Sequence, residues 1–133
     1  MSNKNATYFF ARLLISMSMF GHGFVRVFKL PEFAEKMTIE FETTILPEAL
    51  VHPFMFVLPI LELFVGIFLL IGFKTKLVTI IGLIIMLALI FGSSMQQNWS
   101  AVPVQMFHGL FLLGVLAFLP YNKYSFDSSL SSN

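Results

Sequence analysis

The sequence contains no cysteine, and only 11% of its 133 residues are charged. The lack of cysteine excludes disulfides, thiol–disulfide exchange, cysteine-ligated zinc and iron–sulfur clusters, so any redox chemistry needs a bound cofactor or substrate. Soluble domains carry about a quarter charged residues, and a surface with so few charges is not suited to water. The net charge of +1 gives no indication of nucleic-acid binding.

Hydrophobic residues make up 57% of the chain, and the mean hydropathy is +0.85. A membrane-spanning helix needs about 20 mainly apolar residues. Four segments meet that length within ordinary error, at about 8–28, 54–73, 77–96 and 102–119. Only residues 74–76 separate the second segment from the third, so these two must form an antiparallel hairpin. The sequence therefore predicts an all-α integral membrane four-helix bundle, with residues 1–133 in one domain.

The basic residues predict the orientation of this bundle. Lysine and arginine in short loops mark the cytoplasmic side of a membrane protein. In a four-span chain, Lys4, Lys74, Lys76 and Lys123 all fall on one side. We therefore expect both termini to be cytoplasmic in the cell inner membrane, and we expect the serine-rich tail at 128–133 to be disordered.

Segment 29–53 lies on the opposite, outer side in this topology. Near its start, Pro31 suits a first helical turn, and apolar residues then recur every four positions at Phe33, Met37, Phe41 and Ile45. This spacing predicts an amphipathic helix between the first and second spans. Such a helix either lies flat on the membrane or covers an outward-facing pocket, and the sequence leaves both alternatives open.

Polar side chains inside the spans gather at one depth. Ionisable groups in a membrane are costly and usually face the interior of a bundle. At a rise of about 1.5 Å per residue, His22, Glu62 and His108 lie about 9–12 Å from the outer ends of their helices. Arg26 shares a helix face with His22, and Gln105 shares one with His108. Three helices therefore converge on one polar layer in the outer half of the bilayer.

This layer has three interpretations: a structural ion-pair network around Glu62, a binding site for a small redox-active or polar molecule, and a proton or solute pathway. In a binding site, Glu62 and His22 are the candidate catalytic residues, and Arg26, His108 and Gln105 are the candidate ligand-binding residues. No paired-histidine spacing supports a metal site, so none is predicted. Two histidines at equal depth on different helices could ligate haem b, which stays a disfavoured alternative.

Arg12 lies near the inner end of the first span, and we expect its long side chain to reach the lipid phosphates.

Several short stretches carry a likeness to known proteins. The first span contains Gly-His-Gly at 21–23 followed by Arg26, where the pattern more often has lysine. The second contains Leu-Glu at 61–62 and ends with Leu-Leu-Ile-Gly-Phe-Lys-Thr-Lys at 69–76, and the chain closes with Tyr-Ser-Phe-Asp at 124–127. In order and spacing, these stretches resemble the DoxX/DoxD-like family of small membrane proteins.

The resemblance implies a four-helix membrane bundle linked to redox systems, some of which oxidise thiosulfate with quinone as acceptor and others of which belong to oxidative-stress complexes. Of the candidate residues, only His22, Arg26 and Glu62 match the family pattern. We expect a small quinone-linked redox subunit, with a non-enzymatic membrane subunit or assembly partner and a small-solute or proton carrier as alternatives. The expected partners are the lipid bilayer and either further copies of the chain or other membrane subunits, and nucleic acid is not among them.

Overall fold

The computed structural model describes residues 2–131, and every regular element within that range is a helix. The helices are α1 (Asn3–Val27), α2 (Leu30–Glu40), α3 (Glu48–Ile71), α4 (Thr75–Met95), α5 (Ala101–Ala117), a short 3-10 helix (Leu119–Tyr121) and α6 (Phe126–Ser131). Helices α1, α3 and α4 are long and apolar enough to cross a membrane, whereas the apolar α5 is shorter, with 17 residues. The predicted all-α membrane bundle is confirmed.

The start of α3 differs from the predicted span. This helix begins at Glu48 rather than at residue 54, and Pro53 lies inside it although proline cannot donate a backbone N–H. Val51 and Met55 are buried in the core, so packing of this face keeps the segment helical. The predicted outer segment 29–53 therefore consists of α2, a connection and the first turns of α3.

The long helices are arranged in the order α1, α3, α4, α5, with α5 returning to α1 and α2 packed on α3. Two glycines bring α1 and α3 together. A Cβ atom at Gly23 would overlap the backbone of Leu63 and Pro59, and one at Gly66 would overlap the backbone of Phe20. Small residues at such crossings let membrane helices approach to backbone contact, so α1 and α3 form the tightest seam of the bundle.

The basic end of the molecule is the end with the α3–α4 turn, and here Arg12 is buried rather than lipid-facing. Its side chain is 2% exposed. It donates hydrogen bonds to Oδ1 of Asn122 at 2.6 Å and to the carbonyl of Tyr124 at 2.9 Å. The expectation that Arg12 reaches the lipid phosphates is wrong, because the chain after α5 folds back and supplies acceptors inside the protein.

The C-terminal segment is fixed to the α3–α4 turn by a long-range helix cap. The Asp127 carboxylate accepts the backbone N–H groups of Lys74 at 2.7 Å and Thr75 at 2.8 Å. The turn itself uses the left-handed conformation at Gly72, with φ of 72°. The prediction of a disordered tail at 128–133 is wrong for 128–131, which lie in α6 behind this anchor. Residues 132 and 133 lie outside the described range.

Helix α2 covers the opposite end of the bundle, which we call the α2 end. Phe33 and Met37 point inward and pack on the core, and Phe41 is buried directly after the helix. Ile45, the last member of the predicted stripe, is 88% exposed and takes no part in this packing. Of the two alternatives left open by the sequence, the covering helix matches this arrangement.

Candidate ligand site beneath helix α2

A cavity of about 530 Å³ lies beneath α2, between α1, α3, α4 and α5. Its walls are mainly apolar. All five side chains that the sequence singles out as candidate site residues lie on its wall, namely His22, Arg26, Glu62, Gln105 and His108. The structure thus brings together side chains from three separate helices, while their chemical roles stay predictions.

Arg26 and Glu62 form an ion pair across the α1–α3 seam. The Nη1 atom of Arg26 lies 3.5 Å from Oε1 of Glu62, which is longer than an ordinary charge-assisted hydrogen bond. The Glu62 side chain is 4% exposed and that of Arg26 is 36% exposed. Within residues 2–131, Oε1 of Glu62 is buried without a hydrogen bond. The carboxylate is therefore held by charge and keeps the capacity to accept a hydrogen bond.

Arg26 also contacts the covering helix, since its guanidinium lies over the ring of Phe33 at 4.7 Å from the ring centroid. A cation over an aromatic face is stabilised by the electron density of the ring. The ion pair and this ring contact connect α1, α2 and α3 at the cavity wall.

Ser18 holds both histidines. Nδ1 of His22 lies 2.7 Å from the carbonyl of Ser18, and Nδ1 of His108 lies 2.8 Å from the carbonyl of Val104. A carbonyl only accepts, so each Nδ1 carries the hydrogen. Nε2 of His108 then accepts from the Ser18 hydroxyl at 2.6 Å. Nε2 of His22 makes no hydrogen bond to any described residue and is the free imidazole nitrogen of the pair.

Gln105 completes the polar layer from α5. Its amide nitrogen donates to Oγ of Ser93 on α4 at 2.9 Å, while its carbonyl oxygen is buried and, among residues 2–131, has no hydrogen-bond partner. An unpaired buried polar atom costs about 1–3 kcal/mol, and such atoms commonly mark a place where a water molecule or a ligand binds. Gln105 and Glu62 each present one such atom.

Comparison with protein-family models identifies the family of this chain. The family model of DoxX matches residues 7–94 of the chain. The chain belongs to the DoxX family. Searches of curated proteins and of solved structures gave no match. The DoxX match extends from α1 almost to the end of α4, so it includes His22, Arg26 and Glu62, whereas Gln105 and His108 lie beyond it.

Four glycines near the polar layer have different surroundings. Gly23 and Gly66 serve the close approach of α1 and α3, as their Cβ positions are occupied by backbone. Gly21 and Gly109 have open space at the same position and are not part of the cavity wall. Of these four glycines, only the first two therefore serve close packing of helices.

The geometry does not suit haem between the two histidines of this DoxX bundle. The ring centroids of His22 and His108 are 5.6 Å apart in an edge-to-face contact at 84°, so the rings touch and leave no gap for a macrocycle. Nε2 of His108 is also bonded to Ser18. Among the residues that the structure describes, no group of three His, Cys, Asp or Glu side chains could hold a metal ion.

Three residues that matter for the site were not among the candidates taken from the sequence. Ser18 orients both histidines, Ser93 holds Gln105, and Phe33 stacks on Arg26. The position of Ser18 four residues before His22 gave a usable signal, because such residues share a helix face. The other two depend on contacts between helices that no local spacing encodes.

Proposed function

We propose that this DoxX-family protein is a quinone-binding redox subunit of the cell inner membrane, with its site in the cavity beneath α2. The observation that carries the proposal is the combination of mainly apolar walls with a single polar layer that presents unpaired hydrogen-bonding atoms. Small-molecule sites are typically cavities of about 300–1,000 Å³ with few polar groups on apolar walls. The cavity of about 530 Å³ lies within that range.

In this proposal the ring oxygens of the quinone meet the polar layer. Glu62 and His22 exchange protons with those oxygens: Oε1 of Glu62 and Nε2 of His22 are free to accept hydrogen bonds from the two hydroxyl groups of the quinol, and in their protonated forms they donate to the quinone oxygens. Arg26 stabilises the negative charge that develops during reduction. Gln105 and His108 complete the ring site from α5. Full reduction takes up two electrons and two protons, and a partner subunit or an external reductant supplies the electrons because the chain has no cysteine.

The proposed orientation follows the charges at the two ends. Lys4 lies over the ring of Tyr121, and Lys74 and Lys76 flank the α3–α4 turn near Asp127, so these basic residues share one end. The rule for cytoplasmic lysines assigns that end, with both termini, to the cytoplasm. The α2 end and its cavity then face the outer side of the membrane.

The packing favours a one-sided site over a carrier. The cavity wall lies at the α2 end, whereas the basic end is filled by buried side chains such as Tyr8, Arg12 and Leu112. A carrier needs a site that opens alternately to both sides. Toward the basic end, the described residues line only a shallow groove on the exposed side of α1, with Phe10, Leu14 and Phe111, and none of the five candidate site residues lies in it.

A second candidate function is a non-enzymatic subunit that docks a partner on the outer side. The connection between α2 and α3 supports it, because Glu42 and Glu48 are exposed on either side of the almost fully exposed Ile45. Acidic groups around an apolar residue would suit a basic partner surface. Co-purification of a fixed partner that is lost on Ile45→Ser would favour this alternative.

The quinone proposal is tested by extraction. The protein is purified in mild detergent, its bound quinone is extracted and quantified against protein, and a visible spectrum is recorded for haem. We expect quinone at close to one equivalent, and a fall of about tenfold or more in Glu62→Gln. The matched control Glu42→Gln, which changes an exposed carboxylate, should retain the wild-type content. The proposal fails if wild-type protein carries no quinone and takes up none on addition.

A further inference from the structure

The cavity has an opening on the side of the bundle, between α1 and α5. His22 of α1 and Val104 of α5 both line the cavity and both have exposed side chains, with Val104 54% exposed. A side chain that lines a cavity and is also exposed lies at an opening, and Leu50 of α3 and Phe91 of α4 meet the same condition. The opening at His22 and Val104, which we call the mouth, lies between two spanning helices and therefore faces lipid.

Hydrogen bonds and a ring contact join α1 and α5 up to this mouth. From the basic end, the Tyr8 hydroxyl donates to the carbonyl of Val115 at 2.7 Å, and further along the Ser18 hydroxyl bonds His108. The His22 and His108 rings form the next contact. One turn beyond, Arg26 is directed to Glu62 and Phe33 on other helices. Within residues 2–131, hydrogen bonds and ring contacts thus join the two helices up to the polar layer, and none joins them beyond it.

The neighbouring side of α1 is closed. On the α3 side, Gly23 and Gly66 bring the two backbones into contact, so no chain can pass there. Above the cavity, α2 and the residue after it close the top with Phe33, Met37 and Phe41. The α1–α5 opening is therefore bounded by packed surfaces on the α3 side and above.

We infer that the ligand enters this cavity from the bilayer between α1 and α5, past His22 and Val104, and leaves a long apolar chain lying in that opening. The inference rests on the proposed function. A cavity of about 530 Å³ accommodates a drug-sized ring but not a long hydrocarbon chain in addition. The remainder of such a chain is apolar and stays out of water, so it leaves through an opening that faces lipid.

A second route would pass the polar rim of the cavity, where Glu40, Gln96 and Asn98 lie. Two of these side chains, those of Glu40 and Asn98, are exposed. That route suits a water-soluble ligand. The experiments below distinguish entry by this route from entry through the lateral opening.

The first experiment narrows the lateral opening. Val104→Trp places a large ring at the mouth, and the matched control Leu113→Trp makes the same change on α5 at a site that is 53% exposed and not part of the cavity wall. Each protein in lipid nanodiscs is titrated with a benzoquinone that carries a long isoprenoid chain and with the same ring without the chain.

We expect Val104→Trp to weaken binding of the long-chain quinone by about tenfold or more while the chain-free ring binds within about twofold of wild type. Leu113→Trp should bind both as wild type does. Unchanged binding of the long-chain quinone in Val104→Trp, or equal loss of both probes, would overturn the lateral opening. If wild-type protein binds neither probe, the proposed function itself fails, which is a distinct result.

The second experiment needs no substitution. A long-chain quinone with a photoreactive diazirine in its chain is bound to wild-type protein and irradiated, and the labelled peptides are identified by mass spectrometry. The lateral opening predicts labels on α1 and α5 around Val25 and Val104. Labels confined to Glu40 and to residues 96–98 would show that the chain passes the polar rim, and would overturn the inference.

Discussion

At the scale of single residues, Glu62 is the side chain on which the interpretation of the site depends most. Its side chain is 4% exposed, its only ionic partner is Arg26 within residues 2–131, and Oε1 makes no hydrogen bond there. A purely structural ion pair would gain from shorter, aligned hydrogen bonds. The 3.5 Å separation instead leaves a buried oxygen free for a ligand.

The variant Glu62→Gln separates these two roles. We expect quinone binding to fall about tenfold or more, while the free energy of unfolding changes by less than about 1 kcal/mol, because Arg26 is 36% exposed and keeps its charge solvated. Titration with quinone and thermal unfolding in the same detergent measure the two quantities. A loss of about 3–5 kcal/mol in stability with unchanged quinone binding would instead support the structural ion-pair network.

Some features of the candidate site could be predicted from the sequence, and others could not. Depth along a helix predicted that His22, Glu62 and His108 lie in one layer, because helical rise converts position into height. It did not predict that Nε2 of His108 is occupied by Ser18 while that of His22 is free. That difference depends on the rotation of α1 against α5, which no residue count specifies.

At the scale of helices, the α1–α3 seam depends on glycine. A Cβ at Gly66 would overlap the backbone of Phe20, whereas one at Gly114 on α5 would meet nothing within 4 Å. These two positions therefore form a matched pair for the same substitution.

We expect Gly66→Ala to lower the free energy of unfolding by about 2 kcal/mol or more, since the backbones must move apart. Gly114→Ala should leave stability unchanged or raise it by up to about 1 kcal/mol, because alanine favours the helix. Thermal unfolding of both variants in one detergent gives the comparison. Equal effects at the two positions would show that α1 and α3 do not pack as closely as described.

The C-terminal segment gives a second helix-scale prediction. Asp127 caps α4 by accepting two backbone N–H groups, so Asp127→Ala should cost about 1–2 kcal/mol and expose α6 to protease. Asp127→Asn keeps one acceptor oxygen and should lose less. Limited proteolysis and thermal unfolding measure both variants, and a protease pattern equal to wild type in Asp127→Ala would contradict the cap.

The helices themselves were predictable to different degrees. Apolar length predicted the four long helices, because a spanning helix needs a fixed number of apolar residues. The start of α3 was missed since buried Val51 and Met55 hold a proline-containing segment in the helix. The sequence did not predict that residues 128–131 are helical, because the anchor of α6, Asp127, bonds residues more than 50 positions away in the sequence.

At the scale of the whole molecule, the proposed orientation has a direct test. The chain has no cysteine, so Glu42→Cys and Lys76→Cys each introduce a single thiol, one at the α2 end and one at the basic end. A membrane-impermeant maleimide on intact cells or spheroplasts should label Glu42→Cys and leave Lys76→Cys unlabelled until the membrane is permeabilised. The opposite pattern would reverse the orientation and direct the cavity to the cytoplasm.

Binding of a quinone ring in the cavity beneath α2 can be seen in a structure of the protein in nanodiscs with long-chain quinone. We expect ring density within hydrogen-bonding distance of Glu62 or His22, with a chain that leaves the bundle between α1 and α5. Density for the quinone elsewhere on the protein, or a cavity that holds only a lipid acyl chain at saturating quinone, would contradict it.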